Sequence, residues 1–176
     1  MEIKNNPQVK EQVKTFATEL GVSDRIAFAG PKDIAYVRDK MDKSDLFMLA
    51  SVTAANGDTE GAPVSLLEAQ ASGMPVISTR HAGIPEIVID NESGYLAPEG
   101  NTLGLTDALR RLLGNAKAWP DMGRRGRAFV EQRHDIKILN RRLVDLYEEA
   151  AARFAPSSCS GDLGNISKEA APILET

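Results

Sequence analysis

The 176-residue sequence has a single cysteine, Cys159, near its C-terminus. That excludes an internal disulfide and points to a reducing compartment, so a cytoplasmic protein is expected. A basic surplus is also lacking: 21 Lys and Arg stand against 25 Asp and Glu, a formal net charge of -4. Nothing in that balance advertises nucleic acid or an anionic membrane, and a small or neutral partner fits better. No apolar run is long enough to cross a bilayer, and Met1 to Pro7 has no apolar signal-peptide core. No internal repeat or low-complexity tract changes the class. What remains, 42% hydrophobic and 26% charged residues, is globular composition at the length of one α/β domain.

The hydrophobic pattern lays out strand and helix in alternation. Asn6 and Pro7 suit the start of a helix whose Val9, Val13, Phe16, Ala17 and Leu20 share a face, with Gly21 ending it. Arg25 to Ala29 reads as a short strand stopped by Gly30-Pro31, and Ile34 to Met41 as a second helix. Asp45 to Leu49 is the next strand, followed by a polar loop from Ser51 to Thr59 and a helix from Pro63 to Ser72. Strands at Pro75 to Ser78 and Tyr95 to Pro98 follow, the second after a turn at Asn91 to Gly94. The rest is read as helical, with core stripes at Leu105 to Leu113 and at Ile136 to Ala150, the latter capped by Asp135. Short apolar strands separated by helices predict an α/β fold: a Rossmann-like parallel sheet with helices on both faces and a helical C-terminus.

In such sheets ligands sit beyond the carboxyl ends of the strands, where loops run into helix N-termini. The loop from Asp58 to Ser65 lies at such a place. With Pro63 at the start of the helix, the amides of Val64, Ser65 and Leu66 are expected to lack intrahelical acceptors and to form an anion site. Gly61 admits close approach of a ligand to the backbone. Glu60 precedes the helix, and Glu68 lies inside it on the face of Val64. A carboxylate can accept two hydrogen bonds side by side, so each suits a vicinal diol. Amides for phosphate between two carboxylates for hydroxyls describe a nucleotide-sugar. A solvated loop glutamate and a helix glutamate in an ion pair would show the same spacing.

The stretch from Glu60-Gly-Ala-Pro-Val-Ser-Leu-Leu-Glu68 through Ala69-Gln70-Ala71-Ser72-Gly73-Met74-Pro75-Val76-Ile77-Ser78-Thr79 resembles the family 4 retaining glycosyltransferases. Gly83-Ile84-Pro85-Glu86-Ile87-Val88 and Ser93-Gly94-Tyr95-Leu96 match the same family in order and spacing, as do Phe28-Ala29-Gly30 and Ser44-Asp45-Leu46-Phe47. The likeness runs from Gly21 to Tyr147. The segment Val52 to Gly61 is most similar to exopolysaccharide enzymes of the colanic-acid kind.

The resemblance implies the C-terminal, donor-binding half of a GT-B enzyme. It implies that Glu60 is catalytic and binds donor-sugar hydroxyls, that Gly61, Ala62, Val64 and Ser65 contact the sugar and diphosphate, and that Glu68 holds the ribose diol. Pro31, Lys32, Asp33 and Ile34 would lie beside the base. The donor would be a UDP- or GDP-sugar, with no cofactor and no metal, and no Asp-x-Asp motif competes with that reading. Two departures stand out. Ala62-Pro63 replaces the usual Phe-Gly, and proline has no N–H to donate. The strand bearing the family's diphosphate-clamping Arg and Lys is not found before the first helix, nor is an acceptor domain. A donor domain over residues 1–154 lacking its first strand, a mobile tail over 155–176, and a chain inactive without its N-terminal partner domain are therefore expected. Any association with the inner membrane face would come through that missing domain.

Arg80 and His81 follow a strand on the ligand side and are candidates for phosphate contact, although a lone loop histidine is often merely solvated. His134 is read as structural, and Glu86 as a brace for its loop. The competing functions are a binding module for nucleotides or nucleotide-sugars without catalysis, and a GT-B sugar-nucleotide epimerase.

Overall fold

The protein is described from a computed structural model, which covers residues 7–154. Asn6, Cys159 and the tail from Ala155 lie outside the described residues. The chain forms two compact units, Met1–Ser44 and Asp45–Thr176.

In the first unit, helix α1 spans Pro7–Glu19 and ends as the sequence dictates. Gly21 takes φ +67°, the Val22 amide donates to the Ala17 carbonyl and the Gly21 amide to that of Thr18, which together satisfy the last carbonyls of the helix. A short 3-10 turn, Ser23–Arg25, follows. The strand expected at Arg25 to Ala29 is not formed. Ile26 is extended, at φ -116° and ψ 119°, but among the described residues of this unit no strand offers it a ladder, and an unpaired extended segment is not a strand. Helix α2 spans Ile34–Asp42, with the Asp33 carboxylate accepting from the Tyr36 amide at 2.8 Å.

The second unit holds a three-stranded parallel sheet in the order β1 (Phe47–Leu49), β2 (Val76–Thr79), β3 (Gly94–Ala97). Phe47 pairs with Val76, and Val76 with Gly94. Gly94 is obligatory there, because a Cβ would lie 2.1 Å from the Val76 carbonyl oxygen. All four residues of β2 are buried although successive side chains point to opposite faces, so the sheet is covered on both sides.

Helices α3 (Val64–Ala71) and α5 (Thr102–Gly114) both pack on the sheet. Ile77 of β2 forms a core with Ala108, Leu112 and Met122, against which Leu46, Tyr95, Leu105, Leu109 and Trp119 pack. Each fully buried aliphatic side chain contributes about 1.5–3 kcal/mol of transfer free energy. Leu113, assigned by periodicity to this stripe, is exposed instead: it sits one residue round from Leu112 and turns away from the sheet.

Between β2 and β3 lies the one-turn helix α4 (Ile84–Ile87). Helix α6 (Trp119–Arg133) packs on α3, and α7 (Ile136–Phe154) ends the described chain. Asp135 caps α7 through the Lys137 amide at 2.7 Å. The stripe from Ile136 to Tyr147 is not core: no residue of α7 is buried, for helical periodicity marks an apolar side without supplying a surface to cover it.

Candidate functional site

The parallel register brings the carboxyl ends of β1, β2 and β3 to one edge of the second unit. Ser51, His81 and Glu99 each lie two positions past the last residue of their strand. Polar side chains are concentrated at this edge and knit its loops together. Ser78 Oγ donates to the Leu49 carbonyl at 2.6 Å, and Thr79 Oγ1 to the Ser51 carbonyl at 2.5 Å. Ser51 Oγ in turn donates to Glu60 Oε2 at 2.7 Å. The carboxylate of Glu60 is thus anchored on one oxygen while its residue stays exposed to solvent.

The loop after Glu60 is fixed by the next strand's loop. The Gly83 amide donates to the Gly61 carbonyl at 3.2 Å, and a Cβ at Gly83 would stand only 3.3 Å from that oxygen. Gly83 lets the two loops touch. Pro63 occupies the N-cap of α3 in an extended conformation, φ -63° and ψ 120°, and offers no side-chain cap. Its carbonyl accepts the Leu66 amide at 3.1 Å. The expected trio of unclaimed amides is therefore a pair: those of Val64 and Ser65 have no acceptor among the described residues, whereas Leu66 is used in closing the first turn. Val64 is exposed and Ser65 half-buried. Glu68, the fifth residue of α3, is exposed, and its carboxylate has no partner among the described residues.

His81 is not the solvated loop histidine that composition favours. It is 1% exposed, with Nδ1 3.0 Å from Glu99 Oε2, and Nε2 buried without a partner among the described residues. The second oxygen of Glu99 accepts the Thr53 amide at 2.5 Å. The Thr53 amide first, then His81 and the Thr53 hydroxyl, hold the Glu99 carboxyl down at about 2. The carboxylate stays ionised over the whole working pH range. Ala82, next to His81, has φ +43°, a left-handed conformation uncommon outside glycine.

Arg80 is exposed and paired with Asp90, whose other oxygen accepts the Leu96 amide at 2.9 Å. Arg80, Ala62, Glu86, Asp90, Arg133 and Arg142 are among the residues lining a cavity of about 710 Å³. Arg80 therefore opens onto the wall that carries Ala62, but with its charge already shared. His134 ends α6 with its ring 5.6 Å from that of Phe129, a packing role. In the first unit, Asp33 is occupied in capping α2, Ile34 begins that helix, and the Lys32 ammonium stands 5.2 Å from the ring centre of Tyr36. Pro31 precedes them in the same loop.

Ser51, Thr53 and Glu99 carry much of this geometry and escaped the sequence reading. The signal was positional: polar residues just past the ends of parallel strands, with no motif of their own.

The family model described as glycosyl transferases group 1 matches residues 5–129. An amylovoran biosynthesis glycosyltransferase of Erwinia amylovora is 40% identical over 81% of this chain and 35% of its own length. A protein of Escherichia coli K12 that bears the name of a colanic acid biosynthesis glycosyltransferase is 36% identical over 79% of this chain and 34% of its own. The chain thus spans about a third of the length of the curated relatives it matches. Among solved structures, the Anabaena protein HepE in complex with UDP-glucose superposes with a TM-score of 0.69 at 20% identity, covering 84% of this chain and 38% of that one. The layered fold is the Rossmann-like C-terminal half of the GT-B architecture.

Proposed function

The chain belongs to the glycosyl transferases of group 1, and we propose that it is the donor-binding half of a retaining hexosyltransferase of polysaccharide or glycoconjugate assembly. The observation that carries this reading is the start of α3. Two unclaimed amides, Val64 and Ser65, stand at its positive end directly after a carboxylate, Glu60, that Ser51 holds in place.

In this reading the diphosphate of a UDP- or GDP-sugar rests on those amides and on the backbone of Gly61 and Ala62. Glu60 accepts hydrogen bonds from the sugar hydroxyls, and Glu68, free of any protein partner among the described residues, takes the ribose diol. Arg80 borders the phosphates, whereas His81, walled in and turned through Nδ1 to Glu99, has no surface to offer them. Charge that builds on the leaving diphosphate as the glycosidic bond breaks falls on donors already oriented toward it, so this chemistry needs no metal. Pro63 contributes no N–H and Leu66 has spent its own, which leaves the amide cradle narrow.

The acceptor site belongs to the N-terminal domain of the complete enzyme. The 176-residue chain alone holds donor without transferring it. No helix among the described residues is long and apolar enough to cross a membrane, and any association with the cytoplasmic face comes through that other domain.

Calorimetry of the chain with UDP, GDP and ADP, and a turnover assay with the matching sugars, test this reading. Binding of one nucleotide is expected, together with about a tenfold loss in Glu68→Ala, a 1.4 kcal/mol effect in the range of a hydrogen bond to a charged group. If none of the three binds and Glu68→Ala changes nothing, the donor site is not there; turnover matching a full-length relative would refute inactivity alone.

A further inference from the structure

The loop that delivers Glu60 is nearly unsupported. Residues 52–60 are all exposed, so no packing fixes their course. Within the loop, the Ala54 amide donates to the Asp58 carbonyl, the Gly57 amide to that of Ala54, and the Asp58 amide to the Asn56 side chain. These bonds shape the loop but do not tie it to the sheet. Among the described residues, the hydrogen bonding that joins residues 52–59 to the rest of the unit is that of Thr53 to Glu99, its amide donating to Oε1.

Glu99 itself stands past the end of β3, the strand farthest from β1 in the sheet. Its other oxygen meets Nδ1 of His81, past the end of β2, and His81 is walled in. One carboxylate therefore spans all three strand ends and leans on a buried, immobile ring. At the root of the loop the Ser51 carbonyl is held by Thr79, and the Ser51 hydroxyl holds Glu60. A single residue, Val52, separates the point where Glu99 grips the chain from the hydroxyl that orients Glu60.

We propose that Glu99 is a positioning residue for sugar recognition: by pinning Thr53 to His81 it sets the loop from Ser51 to Glu60, and so places the Glu60 carboxylate. This rests on the donor-site reading above and adds to it a residue that touches no ligand. Because an ionised carboxylate can only accept, His81 donates its Nδ1–H to Glu99.

The role separates sugar from nucleotide. Glu60 serves the sugar, whereas the amides of Val64 and Ser65 and the carboxylate of Glu68 lie on α3, which Glu99 does not touch. Calorimetry of the 176-residue chain with UDP-glucose and with UDP therefore discriminates. Glu99→Ala is expected to weaken UDP-glucose about tenfold and UDP by less than about twofold, a charged hydrogen bond's worth of loop ordering. Glu99→Gln keeps an acceptor oxygen and is expected to recover part of the loss. Amide exchange at Thr53 is expected to accelerate in Glu99→Ala, in step with the sugar effect.

Equal losses for both ligands, or none for either, overturn the role and leave the donor site standing. If the wild-type chain binds none of UDP, GDP and ADP, the donor reading fails and the positioning role goes with it; if GDP is the nucleotide bound, a GDP-sugar and GDP replace UDP-glucose and UDP in the same comparison. If Glu99→Ala does not fold, Glu99→Gln decides by the same comparison: a loss confined to UDP-glucose supports the role, and a parallel or absent loss overturns it.

Discussion

Helices α3 and α7 both show an apolar stripe in the sequence, yet the eight-residue α3 is packed in and the nineteen-residue α7 has no buried residue. In α3, Leu66, Ala69 and Gln70 are fully buried. The difference lies in the neighbours. One side of α3 lies on β1 and β2, and another receives α6. Two glycines of α6 make that approach close: a Cβ at Gly123 would lie 1.9 Å from the Gly73 carbonyl oxygen, and one at Gly126 would lie 3.2 Å from the Gln70 side chain. Along α7, Leu139, Leu143, Leu146 and Tyr147 recur at helical spacing and remain exposed, and the contact of α7 with α6 is slight beside that of α3 with α6. Periodicity reports that a helix has an apolar side. It does not report what covers that side; small residues on a neighbour do.

The sharpest way to break this comparison is Gly123→Leu. The side chain would have to displace backbone, and that backbone is the turn after α3, where Gly73 holds φ +81° and the Met74 amide bonds to the Ala69 carbonyl. A loss of more than about 3 kcal/mol is expected, at the severe end of overpacking. Urea unfolding followed by fluorescence measures it in the right place. The chain has one tryptophan, Trp119, which packs on the sheet core and donates Nε1–H to the Leu112 carbonyl at 2.8 Å. A midpoint equal to that of the wild type would show that α6 can lift off α3 freely. The next effect in size is Leu66→Ala, where truncation of a side chain with no exposed surface is expected to cost about 2–5 kcal/mol. A cost under about 1 kcal/mol would mean that α3 is far looser than its burial implies.

What could be read in advance follows the same line. The strands at 47–49, 76–79 and 94–97 were legible because buried parallel strands are short apolar runs between turn residues. Gly21 and Gly73 announced helix ends by a local requirement for left-handed backbone. Each of these signals is contained within a few residues. Arg25 to Ala29 failed because a strand exists only with a partner, and Leu113 failed because one residue of helical phase separates the core face from solvent. At the site, Glu60, Gly61 and Glu68 could be marked from the motif, and the unclaimed amides of Val64 and Ser65 from the helix start. The Leu66 amide could not be assigned in advance, because whether Pro63 caps the helix or begins it is a matter of one residue. Glu99 was invisible: its significance comes from meeting Thr53 across 46 positions and His81 across 18.

The smallest expected effect is the one that tests the exposed half of the comparison. Leu143 lies mid-helix in α7 and is 47% exposed, with Leu139 and Tyr147 one turn away on either side. Leucine and glutamine have nearly equal helix propensities, so Leu143→Gln isolates the value of the apolar group itself. With nothing packed over the stripe, little transfer free energy is lost, and the change in stability should stay within about 0.5 kcal/mol, as for ordinary surface positions. The same substitution should raise the concentration at which the chain stays dispersed, because it interrupts a contiguous apolar face. Light scattering against protein concentration measures that, alongside the urea midpoint. A destabilisation above about 1 kcal/mol would mean that the stripe is covered in solution, and that α7, like α3, has found a neighbour.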